Sequence, residues 1–207
     1  MVRRPIKIHP KNPHERAIDQ VVAILQKGGV IIYPTDTIYA LGCDIANPGA
    51  LARVAQIKGI KLAKARFSFI CDGLSQLSDY AKQIDTRTYK ILKRYIPGPF
   101  TFVLPGSSHL PKAFKGRRTV GIRVPDNPIP RAIVRHLGNP IVSTSIYHED
   151  KVIEYDTDPE LICEKHHKQV DLVIDGGIGT NTASTVVDLT TGDEPEILRQ
   201  GAGIFLG

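Results

Sequence analysis

Cysteine is scarce in this chain and has no metal-type spacing. Cys43, Cys71 and Cys163 are the three cysteines in 207 residues. They lie far apart without a CxxC, which excludes a disulfide framework and a Cys/His zinc site and points to reduced thiols in the cytoplasm. No apolar run approaches the roughly 18–20 residues that a bilayer requires, so neither a membrane span nor a membrane partner is expected. The opening Met1-Val2-Arg3-Arg4-Pro5-Ile6-Lys7 is basic but lacks the apolar stretch of a secretory signal. Repeats, low-complexity tracts and Ser/Gly-rich linkers are absent too, and a single domain over residues 1–207 is expected. Acidic residues are in deficit, 21 against 27 Lys and Arg, for a net charge of +6. That balance suits an anionic partner such as nucleic acid, a nucleotide or a small carboxylate, and equally serves plain solubility. No G-x-S-x-G elbow, H-E-x-x-H or complete Rossmann fingerprint occurs. With 42% hydrophobic and 23% charged residues, the chain has the profile of a globular protein.

The apolar periodicity predicts an α/β fold. Ile18, Val21, Val22 and Leu25 mark a helix over 14–27 that Gly28-Gly29 ends. Val30 to Tyr33 is wholly apolar, as in a strand buried on both faces. Further helices are expected near 49–58 and 85–96, with strands at Phe67 to Cys71, Thr101 to Leu104 and Thr119 to Val124. Asn127-Pro128 opens a helix that Gly138 closes, and Asp158-Pro159-Glu160 opens another to about Lys168. Strands follow at Pro140 to Ile146, Val170 to Asp175, Thr185 to Leu189 and Glu196 to Arg199. The last three lack helices between them, so the sheet is expected to be mixed.

Several strands run directly into polar loops, where open α/β sheets bind ligands. Tyr33-Pro34-Thr35-Asp36-Thr37 sets two hydroxyls and a carboxylate at a strand end, as a site or as an ordinary turn. Residues 58–66 carry Lys58, Lys61, Lys64 and Arg66, suited to phosphates or to a solvated face. Lys112, Lys115, Arg117 and Arg118 form a second basic patch, a candidate for nucleic acid. Arg123 sits inside an apolar strand and must find a ligand anion or an internal ion pair. Val142-Ser143-Thr144-Ser145 ends a strand in hydroxyls. Asp175-Gly176-Gly177-Ile178-Gly179-Thr180, with Ser184 beyond it, supplies backbone amides but no Gly-Lys-Ser/Thr. Arg199 adds a late cation, and His166-His167 reads as a solvated helix end. Cations, hydroxyls and glycine amides without a clear nucleophile suit the binding and orienting of anions.

The order of six strings resembles the YrdC-like domain family, known for threonylcarbamoyl-AMP synthases, and within it the YciO branch. They are Pro34-Thr35-Asp36-Thr37-Ile38-Tyr39-Ala40-Leu41-Gly42, Pro97-Gly98-Pro99-Phe100-Thr101, Val120-Gly121-Ile122-Arg123-Val124-Pro125, Asp175-Gly176-Gly177, Ser184-Thr185-Val186-Val187-Asp188 and Ile197-Leu198-Arg199-Gln200-Gly201. The resemblance implies a twisted, open mixed β-sheet with flanking helices around a basic concave cavity. It implies a nucleotidyltransferase that turns ATP, L-threonine and bicarbonate into threonylcarbamoyl-AMP and pyrophosphate with Mg2+, linked to tRNA threonylcarbamoyladenosine modification. Its partners would include tRNA or double-stranded RNA. By carry-over, Lys58 and Ser145 are catalytic and Thr35 and Thr37 meet the amino acid. Lys58, Arg123, Thr144, Ser145, Ser184 and Arg199 would face the nucleotide, with no resident metal ligand. Two anchors depart from the family pattern: Ile60 replaces an expected Arg and Tyr147 an expected Asn. The alternative is a protein that binds RNA or a nucleotide without synthesis.

Overall fold

Helix starts follow the capping residues closely. The computed structural model describes residues 4–82, 84–146, 157–190 and 194–207. In chain order the elements are β1 (Ile6–Lys7), α1 (Glu15–Gln26), β2 (Val30–Tyr33), β3 (Ala40–Asp44), α2 (Pro48–Ile57), β4 (Ser68–Ile70), α3 (Leu74–Tyr80), α4 (Thr86–Tyr95), β5 (Phe100–Pro105), β6 (Thr119–Arg123), α5 (Pro128–Leu137), β7 (Ile141–Ser145), α6 (Pro159–His166), β8 (Leu172–Asp175), β9 (Thr185–Asp188) and β10 (Glu196–Arg199). Short 3-10 turns lie at Leu62–Lys64 and Lys112–Phe114. Asn127 Oδ1 accepts from the Ile129 amide at 3.0 Å with Pro128 in the first turn, and Gly138 leaves α5 at φ +77°. Asn47 and Asp158 cap α2 and α6 in the same way. α6 stops at His166, two residues before the expected end. His166 and His167 are half-buried, and His167 Nδ1 donates to the Glu164 carbonyl at 2.8 Å.

The ten strands among the described residues form one mixed sheet in the order β1-β8-β2-β3-β7-β4-β6-β5-β9-β10. β8 pairs in parallel with both β1 and β2, as do β4 with β6 and β5 with β9. β3 escapes the sequence pattern because Gly42 and Asp44 interrupt it, yet it joins β2 to β7. A Cβ on Gly42 would stand 2.4 Å from the Val142 carbonyl oxygen, so glycine permits that strand spacing. β1 and α3 are further elements beyond the sequence reading, each short.

Each face of the sheet carries its own core. On one, Val30, Ile32, Leu41, Phe69, Phe102 and Ile122 are covered by apolar residues of α2, α3, α4 and α6. On the other, Ile31, Tyr33, Ile70, Ile141 and Ile174 pack under α1 and α5. Among the described residues, no side chain of β5, β6, β9 or β10 joins the second core. That face is therefore left for polar side chains. No described helix is long and apolar enough to cross a membrane.

Candidate functional site

Strand pairing decides which polar side chains share the incompletely covered face, because directly opposed residues point to the same side. Gly42 is opposite Ser143, Ser143 opposite Ser68, Ser68 opposite Gly121, and Gly121 opposite Val103. Four residues with little or no side chain thus form a row across β3, β7, β4 and β6. Arg123 lies beyond this row and Ser145 before it. Ile70 is opposite both Ile141 and Arg123, so Arg123 is level with Ile141, four residues along β7 from Ser145. At roughly 3.4 Å per residue, the Arg123 and Ser145 backbones are about 13–14 Å apart along the strands.

The turn after β2, which leaves and re-enters the sheet level with Ser145, is built around the Arg123 guanidinium. Its Nη2 donates to Thr37 Oγ1 at 2.7 Å, to Thr35 Oγ1 at 3.2 Å and to Asp36 Oδ1. The Arg123 and Asp36 side chains are 8% and 9% exposed. Asp36 Oδ2 also accepts from the Asp126 amide at 3.0 Å, tying the turn to the segment after β6. Of the two readings left open for Arg123, the internal ion pair is present. Arg123 Nε is nevertheless buried with no partner among the described residues, so the guanidinium retains donor capacity. Tyr39 fastens the glycine loop to this turn: its hydroxyl donates to the Gly177 carbonyl at 2.7 Å and accepts from the Gly176 amide at 3.2 Å. Burial pushes the Tyr39 hydroxyl up to about 12, against the opposing effect of the Gly176 amide, so it remains a neutral tether.

Lys58 Nζ donates to the Ser145 carbonyl at 2.9 Å, which brings the two expected catalytic residues together. Thr144 is not with them. It pairs with Leu41 of the helix-covered core, whereas Ser145 pairs with Ala40 on the other face. Alternation along β7 thus separates two residues that the sequence reading had grouped as facing the nucleotide. Ile60 is 42% exposed, while Tyr147 lies outside the described residues.

Another cluster unites Ser184 and Arg199. Arg199 Nη2 donates to the Ser184 carbonyl at 2.8 Å, and Ser184 Oγ lies 2.9 Å from Thr101 Oγ1. Between Ile197 and Arg199 the pairing with β9 shifts, so Arg199 comes opposite Val186 and Glu196 opposite Asp188. This bulge turns both charged side chains to the same side. Ser68 and Thr101 are polar residues of this face to which sequence reasoning gave no role, whereas Asp36 and Ser143 stood in candidate loops without one. Alternation places Ser143 with Ser145, and the others needed the sheet order.

The basic patch divides as well. Lys112, Lys115 and Arg118 are exposed, whereas Arg117 is half-buried. The two 3-10 turns pack together, so residues 58–66 and 112–118 form adjoining basic surfaces. Among the described residues, no group of three or more His, Cys, Asp or Glu side chains could hold a metal ion.

An open mixed sheet whose incompletely covered face carries cations and hydroxyls beside a small-residue row defines an α/β domain. A family model described as telomere recombination, that of the Sua5, YciO and YrdC proteins, matches residues 23–201, and the chain belongs to this family. It is 41% identical over 198 residues to YciO of Escherichia coli (strain K12), covering 95% of this chain and 94% of that protein. It is 36% identical over 172 residues to the threonylcarbamoyl-AMP synthase of Thiobacillus denitrificans, covering 82% and 89% of the two chains. The crystal structure of E. coli YciO matches with a TM-score of 0.88 at 40% identity, over 99% of this chain and 98% of the other. The P. abyssi Sua5 structure complexed with L-threonine matches with a TM-score of 0.83 at 28% identity, over 95% of this chain and 57% of Sua5.

Proposed function

We propose that this protein forms or handles threonylcarbamoyl-adenylate at an altered synthase site, in the cytoplasm and in the service of tRNA modification. The observation that carries the reading is one joined polar cluster. The Arg123 guanidinium donates to Thr35 and Thr37 in the turn between β2 and β3, and that turn leaves and re-enters the sheet level with Ser145. Lys58 donates to Ser145, and a row of Gly and Ser leaves space beside them. An adenylate joined to an amino acid is anionic along its length and needs several donors around an open space. The family includes threonylcarbamoyl-AMP synthases. In the proposed reaction the threonine amine takes up bicarbonate as a carbamate with loss of water. A carbamate oxygen then attacks the α-phosphorus of ATP and pyrophosphate leaves. Thr35 and Thr37 orient the amino acid, while Lys58, Arg123, Ser145, Ser184 and Arg199 hold the nucleotide and its developing charge. Magnesium enters with the triphosphate, since the site offers cations and hydroxyls instead of a carboxylate set.

Purified protein incubated with ATP, magnesium, L-threonine and bicarbonate should release pyrophosphate only when threonine is present, with one adenylate per pyrophosphate by mass spectrometry. The rate should rise in Ile60→Arg, because an added guanidinium strengthens phosphate binding. Threonine-independent pyrophosphate, or ATP bound with no adenylate formed by either protein, overturns the synthase reading.

The adjoining basic surfaces support a second reading, in which tRNA or double-stranded RNA is bound directly. Neither residues 57–71 nor 106–125 contain Asp or Glu. Phosphate contacts make affinity fall steeply with salt. Replacing Lys112, Lys115 and Arg118 together by alanine should reduce the slope of log affinity against log salt by about 3, or about 1 per cation. An unchanged slope removes this surface from the reading.

A further inference from the structure

Arg117 differs from the cations around it in what it holds. Its Nη1 donates to the Ala65 carbonyl at 2.5 Å and its Nη2 to the Leu62 carbonyl at 3.1 Å. The guanidinium carbon sits 4.9 Å from the centroid of the Phe114 ring. Phe114 is buried and meets Phe69 of β4 edge to face at 5.0 Å. A stack therefore runs from the sheet through Phe114 and Arg117 to the carbonyls that frame the Leu62–Lys64 turn. Burial lowers the Arg117 pKa from its ordinary value. Accepting that desolvation makes sense for a group whose donors are already engaged.

Leu62 of the turn packs partly buried against the core, and Ala65 just after it is fully buried. The turn itself contributes no fully buried residue. It belongs to a segment that exposes Lys61, Lys64 and Arg66, whose like charges favour spreading apart. The amides of Lys64 and Ala65 donate to the carbonyls of Lys61 and Leu62, so the Leu62 oxygen is shared by the turn and by Arg117. A planar fork can engage two carbonyls at fixed spacing, whereas an ammonium supplies a point charge.

We infer that Arg117 is a positioning residue that holds the Leu62–Lys64 turn, so that Lys61, Lys64 and Arg66 form a preformed edge for the phosphates of a nucleotide. The nucleotide half of this inference rests on the proposed function, while the holding role does not. The mutant comparison uses Arg117→Lys, which keeps the charge but loses the fork, Arg117→Ala, and Arg118→Ala as an exposed control. Without ligand, amide hydrogen exchange at Lys64 and Ala65 should accelerate roughly ten- to hundredfold in both Arg117 variants, as expected for losing hydrogen bonds from a charged donor. It should stay unchanged in Arg118→Ala. In calorimetric titration with ATP, Arg117→Lys should raise Kd several-fold at unchanged stoichiometry. A merely structural role would instead lower the stoichiometry at unchanged Kd, and that pattern overturns the positioning role. Wild-type exchange rates in Arg117→Lys would show that charge alone suffices and would also overturn it. If Arg117→Ala does not fold, the lysine variant decides. A wild-type protein that binds no ATP defeats the nucleotide reading and the phosphate half with it, while the exchange rates still decide the holding role.

Discussion

Asp36→Ala is expected to lower the unfolding free energy by about 3–5 kcal/mol, because it leaves the Arg123 guanidinium buried without its countercharge. Both side chains are more than nine-tenths buried, so water cannot replace the lost carboxylate at little cost. The Thr35 and Thr37 hydroxyls remain, but as neutral acceptors they do not neutralise the charge. For a chain of this length the loss corresponds to a melting point lower by roughly 6–20 °C. Thermal and urea unfolding would measure it. The double variant Asp36→Leu with Arg123→Met should regain much of the stability, since an apolar pair removes both desolvated charges. Ligand binding should not return with it, because the donor row is gone. A single-variant loss below about 1 kcal/mol would mean that the pair acts as an exposed one.

Lys58→Met should have the largest effect on activity. On the proposed function, loss of this cation costs about 2–5 kcal/mol of transition-state stabilisation, or about 30-fold to several thousand-fold in kcat/KM. Its Nζ touches the Ser145 carbonyl, so folding stability should fall by about 1–3 kcal/mol through the lost hydrogen bond. Activity would therefore fall far more than the folded fraction, which adenylate assays beside unfolding curves would separate. Lys58→Arg should recover only part of the rate, because a planar fork does not reproduce a point charge at that carbonyl. Equal rates for Lys58→Met and the wild type would remove Lys58 from the chemistry.

Local signals made much of this fold legible. Asn127-Pro128 and Gly138 bracket α5 within a residue, and the apolar run Val30–Tyr33 is a strand with every residue fully buried. What stayed hidden was set by long-range pairing. No local pattern says that β8 enters between β1 and β2, or that Gly42 belongs in a strand because Val142 approaches it. At the site, Thr35, Thr37 and Ser145 stood out at strand ends, Arg123 inside an apolar strand and Lys58 in the basic loop after a helix. The roles expected of them came from the family resemblance. The grouping of Thr144 with Ser145 ignored strand alternation. Arg117 and Arg118 look alike in sequence, and only the position of the Leu62 and Ala65 carbonyls distinguishes them.

The sheet order also constrains how the chain reaches its folded state. The gap between β1 and β2 is filled by Leu172–Asp175, more than 130 residues after β2. β3 waits for β7, and β5 for β9. A ribosome releasing this chain from its N-terminus exposes β2 and β3 as a two-stranded hairpin long before their outer partners emerge, and such a hairpin is marginal in water. Loop closure over such separations slows folding, and unpaired apolar strands favour association between chains while it proceeds. Truncation just before β8 would accordingly remove the shared partner of both β1 and β2, leaving the edge of β2 open to a neighbouring molecule.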